Sequence, residues 1–174
     1  MSKTFPRYYI DFLLTLHSFD HQKSTLEIVE KTLKQMANGG VFDRIGFGFS
    51  RYSTDEMCLI PHFEKILHDN ALLLIAYTSC YHVTNDPFYR GISENIVEFI
   101  SREMMSNKGG FFSAIDADSE GVDGKYYVWE DEEAFDVLGE HFHFSHRIRG
   151  RICQCSALCS WIQTNRRTNY CICV

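Results

Sequence analysis

The sequence lacks long apolar runs and an excess of positive charge. No apolar run approaches the ~18 residues that a membrane-spanning helix needs, and residues 1–7 show no secretory apolar segment. The net charge of −6 argues against nucleic-acid binding, because no basic field favours phosphate. With 45% hydrophobic and 23% charged residues, the 174-residue chain has a globular composition. We expect a soluble cytoplasmic protein without membrane or nucleic-acid partners; its oligomeric state is left open.

Acidic residues and lysines are absent from residues 141–174, which carry five arginines and five of the seven cysteines. Residues 1–140 hold 12 basic and 23 acidic residues, a net charge of −11, and only Cys58 and Cys80, which fits a reducing compartment. The cysteines of the tail do not show the two-residue spacing of zinc sites. We therefore predict one segment over residues 1–140, followed by an aberrant or unstructured tail, with a frameshift and a lineage-specific extension as the alternatives.

Helical periodicity dominates the first segment and predicts a mainly α protein. Residues 41–60 form a glycine-rich stretch that is longer than a usual connection, and long ordered loops are often functional. Two short strands, at residues 111–115 and 125–129, are predicted to form one β-hairpin. The predicted helices cover residues 8–17, 22–38, 61–84 and 87–105, and a final short helix is predicted to begin at Glu130 and to end at Gly139.

The motif Pro61-His62-Phe63-Glu64-Lys65 concentrates ionisable side chains at the predicted start of a helix. Histidine suits proton transfer near neutral pH, and Glu64 would be a carboxylate partner for His62. On a helix, Lys65 and Asp69 lie one turn apart and can pair. His62 and His68 would point about 240° apart, which argues against a zinc site. The alternative is that the cluster only caps and anchors the helix.

Asp116 and Asp118 form a second candidate site. The acidic run imitates the opening of a calcium loop, but Tyr127 stands where the bidentate glutamate would be, so we predict no metal. On a continuing strand the two carboxylates would share a face and could divide the roles of acid and base at a glycosidic bond. The alternative is a solvated turn.

Several motifs in order give the chain a resemblance to the spermatogenesis-associated protein 20-like family, over roughly residues 3–140. Proteins of this family look like a thioredoxin-like domain followed by a six-hairpin (α/α) toroid, similar to N-acylglucosamine 2-epimerases and some glycosidases. The residues that carry the resemblance are Asn38-Gly39-Gly40, Asp43, Gly46, Gly48, Phe49, Arg51, Tyr52, Ser53, Asp55, Pro61-His62-Phe63-Glu64-Lys65, Leu67, Asp69-Asn70-Ala71, Gly109-Gly110-Phe111, Ser113-Ala114, Asp116-Ala117-Asp118-Ser119-Glu120-Gly121, Gly124-Lys125 and Tyr127-Val128-Trp129.

The resemblance implies a mainly α, incomplete (α/α)6 toroid segment (six-hairpin glycosidase-like) with one β-hairpin. The thioredoxin-like domain would precede residue 1, so we expect no redox role. About five helices cannot close a toroid, and we expect apolar stripes to face water. The sequence departs from the family pattern at Arg44, Phe47, Ser50 and Cys58, where we would expect His, Gly, His and Trp.

The intact family domain is expected to bind or transform a sugar-like ligand by general acid–base chemistry, without a cofactor; the isolated fragment is expected to be inactive. Arg51, Tyr52, Lys65 and Trp129 are candidates for holding the ligand, through hydrogen bonds and ring stacking, although isolated aromatic residues are more often core. The alternative is a non-enzymatic structural or interaction module. The candidate catalytic residues are His62, Glu64, Asp69, Asp116 and Asp118.

Overall fold

Four α-helices organise the part of the chain that the structure describes. The computed structural model describes residues 3–4, 7–54, 60–128, 136, 146–148 and 151–153, with side chains for 9–54, 60–128 and 136. None of the helices in these ranges is both long and apolar enough to cross a membrane. The helices are α1 (Arg7–Asp20), α2 (Lys23–Asn38), α3 (Leu67–Thr84) and α4 (Pro87–Phe99), the last continued by a π-helical turn, Ile100–Met104.

Short antiparallel strands join these helices. β1 (Lys3–Thr4), β2 (Tyr52–Ser53) and β3 (Pro61–His62) form one sheet, and β4 (Lys65–Ile66) pairs with β5 (Ala114–Ile115). β6 (Asp118–Ser119) pairs with β7 (Val122–Asp123), and a 3₁₀ turn, Lys125–Tyr127, follows. In the tail, β8 (His146–Ile148) pairs with β9 (Arg151–Cys153); the predicted aberrant or unstructured state of residues 141–174 stays a prediction.

The predicted start of the third helix is wrong by six residues. Residues 61–66 are extended, because β3 pairs with β2 and β4 pairs with β5. The partner strands provide the backbone hydrogen bonds that a helix would otherwise have provided. The predicted pairing of residues 111–115 with residues 125–129 is wrong: β5 pairs with β4, and Lys125–Tyr127 is a 3₁₀ turn. The observed β-hairpin lies within the segment that was predicted to be the turn. Its strands are β6 and β7, and Glu120 and Gly121, with φ of 52° and 76°, form the two-residue turn between them.

The core forms where α3 packs against α1 and α4, and the glycine-rich loop contributes to it. The Tyr77 hydroxyl donates to the Leu33 carbonyl of α2 at 2.8 Å. Its ring stacks on Phe49 of the loop, with centroids 5.6 Å apart, and Phe49 in turn contacts Phe42 at 4.7 Å. All these side chains are buried. The loop over residues 41–50 is therefore part of the hydrophobic core.

Helix α4 begins as the sequence predicts. The Asp86 carboxylate accepts the Phe88 N–H at 3.0 Å, and Pro87 occupies the first turn. The hydrogen bond from Phe88, with Lys34 nearby, lowers the pKa of Asp86. The preceding helix ends at Asn85, which adopts the left-handed conformation.

An apolar stripe on α1 faces water. Tyr9, Phe12, Leu16 and Phe19 follow each other at intervals of three, four and three residues, and each is more than a third exposed. The stripe agrees with the expectation that an incomplete toroid leaves helix faces uncovered.

Gly48 supports a prediction about the core. Its φ is +76°, and a Cβ atom there would lie 2.4 Å from the buried Phe99 ring, whereas Gly109, at φ +84°, has nothing within 4 Å. We expect Gly48→Ala to lower the free energy of unfolding by roughly 2–5 kcal/mol, because backbone strain of ~1–2 kcal/mol adds to overpacking of ~1–3 kcal/mol. Gly109→Ala should show only the strain. Urea unfolding followed by circular dichroism measures both, and equal losses would contradict the close approach.

Candidate functional site

The extended segment at residues 61–66 divides the predicted site into two groups. Successive side chains of a strand point to opposite faces. Phe63 stacks on Tyr127, with centroids 5.4 Å apart, and the Lys65 ammonium lies 5.1 Å from the centre of the same ring. His62 and Glu64 face the other way, towards Arg51 and Tyr52. The side chains that a helix would have gathered at one mouth therefore lie on two surfaces.

Lys65 forms a buried ion pair with Asp43, a residue of the glycine-rich loop. The Lys65 ammonium lies 2.7 Å from Asp43 Oδ2 and donates to the Phe47 carbonyl at 2.8 Å. Asp43 Oδ1 accepts the N–H groups of Ile45 and Gly46 at 2.9 and 2.8 Å. The side chains of the pair are 3% and 4% exposed. The predicted partner, Asp69, is not the one that Lys65 contacts.

Two aromatic rings complete the surroundings of this ammonium group. Its nitrogen lies 4.9 Å from the centre of the Phe99 ring and 5.1 Å from that of Tyr127. Electron-rich ring faces stabilise a desolvated cation. Phe47 holds a left-handed φ of 62°, unusual for a bulky residue, at a position where the family pattern predicts glycine. Lys65 therefore helps to hold a strained loop in place.

Asn70 makes a second link between the loop and α3. Its side-chain oxygen accepts the Phe49 N–H at 2.7 Å, and its amide group donates to the carbonyls of Phe49 and Ile66, each at 3.0 Å. Asn70 is fully buried. In the sequence, only its place in the family motif distinguishes this residue.

A cavity of about 240 Å³ opens beside the ion pair. Three predicted site residues line it: Lys65, Asp116 and Asp118. The other lining residues were not predicted as site residues. They lie in the glycine-rich loop, at the end of a helix and around short strands, where the sequence shows no periodic pattern. The remaining lining residues are Asp43, Gly46, Phe99, Arg102, Glu103, Ile115, Ala117, Ser119, Tyr126 and Tyr127.

Asp116 reaches the cavity because β5 pairs with β4, which places Ile115 opposite Lys65. The Asp118 N–H donates to Asp116 Oδ1 at 3.2 Å, and both carboxylates are exposed. Gly124, with φ of 71°, lies so close to Phe63 that a Cβ atom would be 2.3 Å from its ring. This contact holds the end of the β6–β7 hairpin against the β4 segment.

The second group lies outside the cavity lining. The His62 and Tyr52 rings stack with centroids 4.8 Å apart, and Arg51 Nη1 donates to Glu64 Oε2 at 3.0 Å. His62 Nδ1 is 3.9 Å from that carboxylate oxygen, and it has no hydrogen-bond partner among the described residues.

The two remaining candidates fall elsewhere. Asp69 is buried in the first turn of α3, where the helix dipole favours a carboxylate, and it does not line the cavity. Trp129 lies outside the described residues. Within the described part of the chain, no group of three or more His, Cys, Asp or Glu side chains is arranged to hold a metal ion.

The helical pairs and short strands define the class of fold. The chain is similar to a solved structure titled as that of D-mannose isomerase, with a TM-score of 0.57 and 16% identity, over 63% of this chain and 28% of that one. The likeness confirms the mainly α toroid segment predicted from the sequence. At this level of identity it establishes the fold alone.

Sequence relatives then identify the family that the chain resembles. The chain is 44% identical over 115 residues to spermatogenesis-associated protein 20 of Mus musculus and of Homo sapiens, and 35% identical over 145 residues to an uncharacterized protein of Caenorhabditis elegans. These matches cover 63%, 63% and 75% of the chain. The chain spans about 15% of the length of the two mammalian relatives and 20% of the nematode one. No protein-family model matches. The resemblance to spermatogenesis-associated protein 20 is confirmed.

The ion pair generates a stability prediction. Lys65→Met would leave the Asp43 carboxylate buried without its cation, which should lower the free energy of unfolding by ~3–5 kcal/mol. The double variant Lys65→Met, Asp43→Asn should lose less than the sum of the two single changes, because it removes both charges. Arg90→Met, which breaks an exposed pair with Glu94, is the matched control and should change stability little. Chemical denaturation of the four variants and the unmodified protein measures the effects, and equal losses for Lys65→Met and Arg90→Met would contradict the role of the pair.

Proposed function

We propose that the intact family domain binds a sugar-like ligand in the cavity beside Lys65 and transforms it by general acid–base chemistry. One observation carries the proposal: two exposed carboxylates, Asp116 and Asp118, line the same 240 Å³ cavity as two tyrosine rings. The volume lies just below the roughly 300–1,000 Å³ of drug-sized ligand sites, which suits a ligand of about one sugar unit.

The lining has the chemistry that a polyhydroxylated ligand requires. Ionised carboxylates accept hydrogen bonds from hydroxyl groups, and Ser119 can donate or accept. Tyr126, which is 57% exposed, offers a ring face for stacking. The structural neighbour is named for D-mannose, and that name supports a sugar as the ligand class. The acidic composition and the two cysteines of residues 1–140 support a cytoplasmic location for the reaction.

In this proposal Asp116 and Asp118 are the proton-transfer groups, because their carboxylates reach the cavity. His62 and Glu64 lie on the opposite face of the extended segment and would belong to a different surface of the toroid. Lys65 is a positioning residue: its ammonium is held by Asp43 and the Phe47 carbonyl.

A non-enzymatic module is the second candidate, and one observation favours it. Two residues of the family motif, Lys65 and Asn70, are buried and fully engaged in holding the glycine-rich loop. Motif residues with this placement serve the architecture of the toroid whether or not it performs chemistry.

Full-length mouse spermatogenesis-associated protein 20 permits a direct test. Isomerase, epimerase and glycosidase assays should reveal turnover that falls by ~10²–10⁴-fold when the positions matching Asp116 or Asp118 become Asn. The melting temperature should change little, since both side chains are exposed here. The position matching Asp123, across the hairpin from Asp118 and outside the cavity lining, is the control.

If turnover were lost only on substitution of the position matching His62, the proton-transfer groups would lie on the surface that carries His62 and Glu64, and not in the cavity. Absence of sugar turnover and binding in the unmodified relative would favour the non-enzymatic module. For the 174-residue chain alone we expect weak ligand binding and no turnover, because a toroid segment of this size does not enclose its ligand.

A further inference from the structure

Both cations that line the cavity are already neutralised by the protein itself. Lys65 is held by Asp43 and the Phe47 carbonyl, as described above. Arg102 Nε donates to Glu103 at 2.7 Å, Nη1 donates to Glu98 at 3.2 Å and Nη2 donates to the Gly46 carbonyl at 2.6 Å. An anionic ligand entering the cavity would have to compete with these internal partners for either cation.

The carboxylates of Asp116 and Asp118 differ from these two cations in that no partner of opposite charge is found for them in the described part of the chain. Among the described residues, neither Asp116 nor Asp118 forms an ion pair, and Lys125, which follows the β6–β7 hairpin, pairs with Glu120 instead. The lining contains two cations and four carboxylates, a net charge of −2. The excess negative charge lies on the exposed side chains of Asp118, in the β6–β7 hairpin, and Asp116, just before it.

We infer that this charge balance sets the ligand class: the cavity accepts neutral or amino sugars and rejects phosphorylated sugars and uronic acids. The inference rests on the proposed function and adds Asp116 and Asp118 as specificity-determining residues. A phosphate or carboxylate group would lose water, meet like charge and have to compete with Asp43, Glu98 and Glu103 for the two cations, whereas an ammonium group would be attracted.

The test uses the 174-residue chain with three matched probes: D-mannose, D-mannosamine and D-mannose 6-phosphate. Ligand-observed saturation-transfer NMR at low ionic strength and near-neutral pH gives their relative affinities. We expect mannosamine to bind about threefold to tenfold more tightly than mannose, and the phosphate to bind more weakly by a similar factor. Added salt should reduce both differences, because the carboxylates are exposed.

The variants Asp116→Asn and Asp118→Asn keep the side-chain shape, and the amide oxygen preserves the Asp116 hydrogen bond. Each should reduce the preference for mannosamine over mannose by about twofold to fivefold, while mannose affinity changes less. Asp123→Asn removes one charge from the same hairpin, directly opposite Asp118 but outside the lining, so it should reduce the preference less than Asp118→Asn does.

The outcomes separate the inference from the function on which it rests. Binding of all three sugars with the phosphate equal to or tighter than mannose would overturn the charge selection and leave the sugar site standing. An equal effect of Asp123→Asn and Asp118→Asn would assign the preference to overall charge and also overturn the inference. If none of the three sugars binds to this chain, the inference fails, and the assays on the full-length relative decide the proposed function separately.

Discussion

The buried ion pair between Lys65 and Asp43 joins two segments that are 22 residues apart in the sequence. One end belongs to the extended segment before α3 and the other to the glycine-rich loop, and the Phe47 carbonyl shares the same ammonium. Replacing such a pair with apolar groups is often harmless, whereas removing one partner is costly. The loop's conformation, with a left-handed Phe47, thus depends on a charge supplied from 18 residues further along the chain.

Some side chains that stabilise the core also line the candidate site. Phe99 packs over Gly48, faces the Lys65 ammonium and forms part of the cavity wall. Tyr127 faces the same ammonium and stacks on Phe63. The wall of the cavity is therefore built from the core itself, which fixes its shape. The carboxylates, by contrast, project from a hairpin and are exposed.

The sequence could predict the elements whose signals are local. Helices α2 and α4 carry apolar stripes, and Asp86-Pro87 marks the start of α4, so both were predicted closely. The start of α3 could not be predicted, because Pro61 suits a helix start as well as a strand, and the choice depends on pairing with β2 and β5. For the same reason the sequence placed His62, Glu64 and Lys65 together at one helix start, whereas the extended segment directs Lys65 away from the other two. The cavity brings Lys65 together with Asp116 through strand pairing across 50 residues, which no periodicity reveals.

The alternation along residues 61–66 also determines which changes in chain length the segment can tolerate. Deleting a single codon between Pro61 and Lys65 would rotate every following strand residue to the opposite face, placing Ile66 where the lysine enters the core. A two-codon deletion would preserve the alternation but pull α3 towards the sheet. The fold therefore depends more on the length of this segment than on the identity of its outward-facing residues.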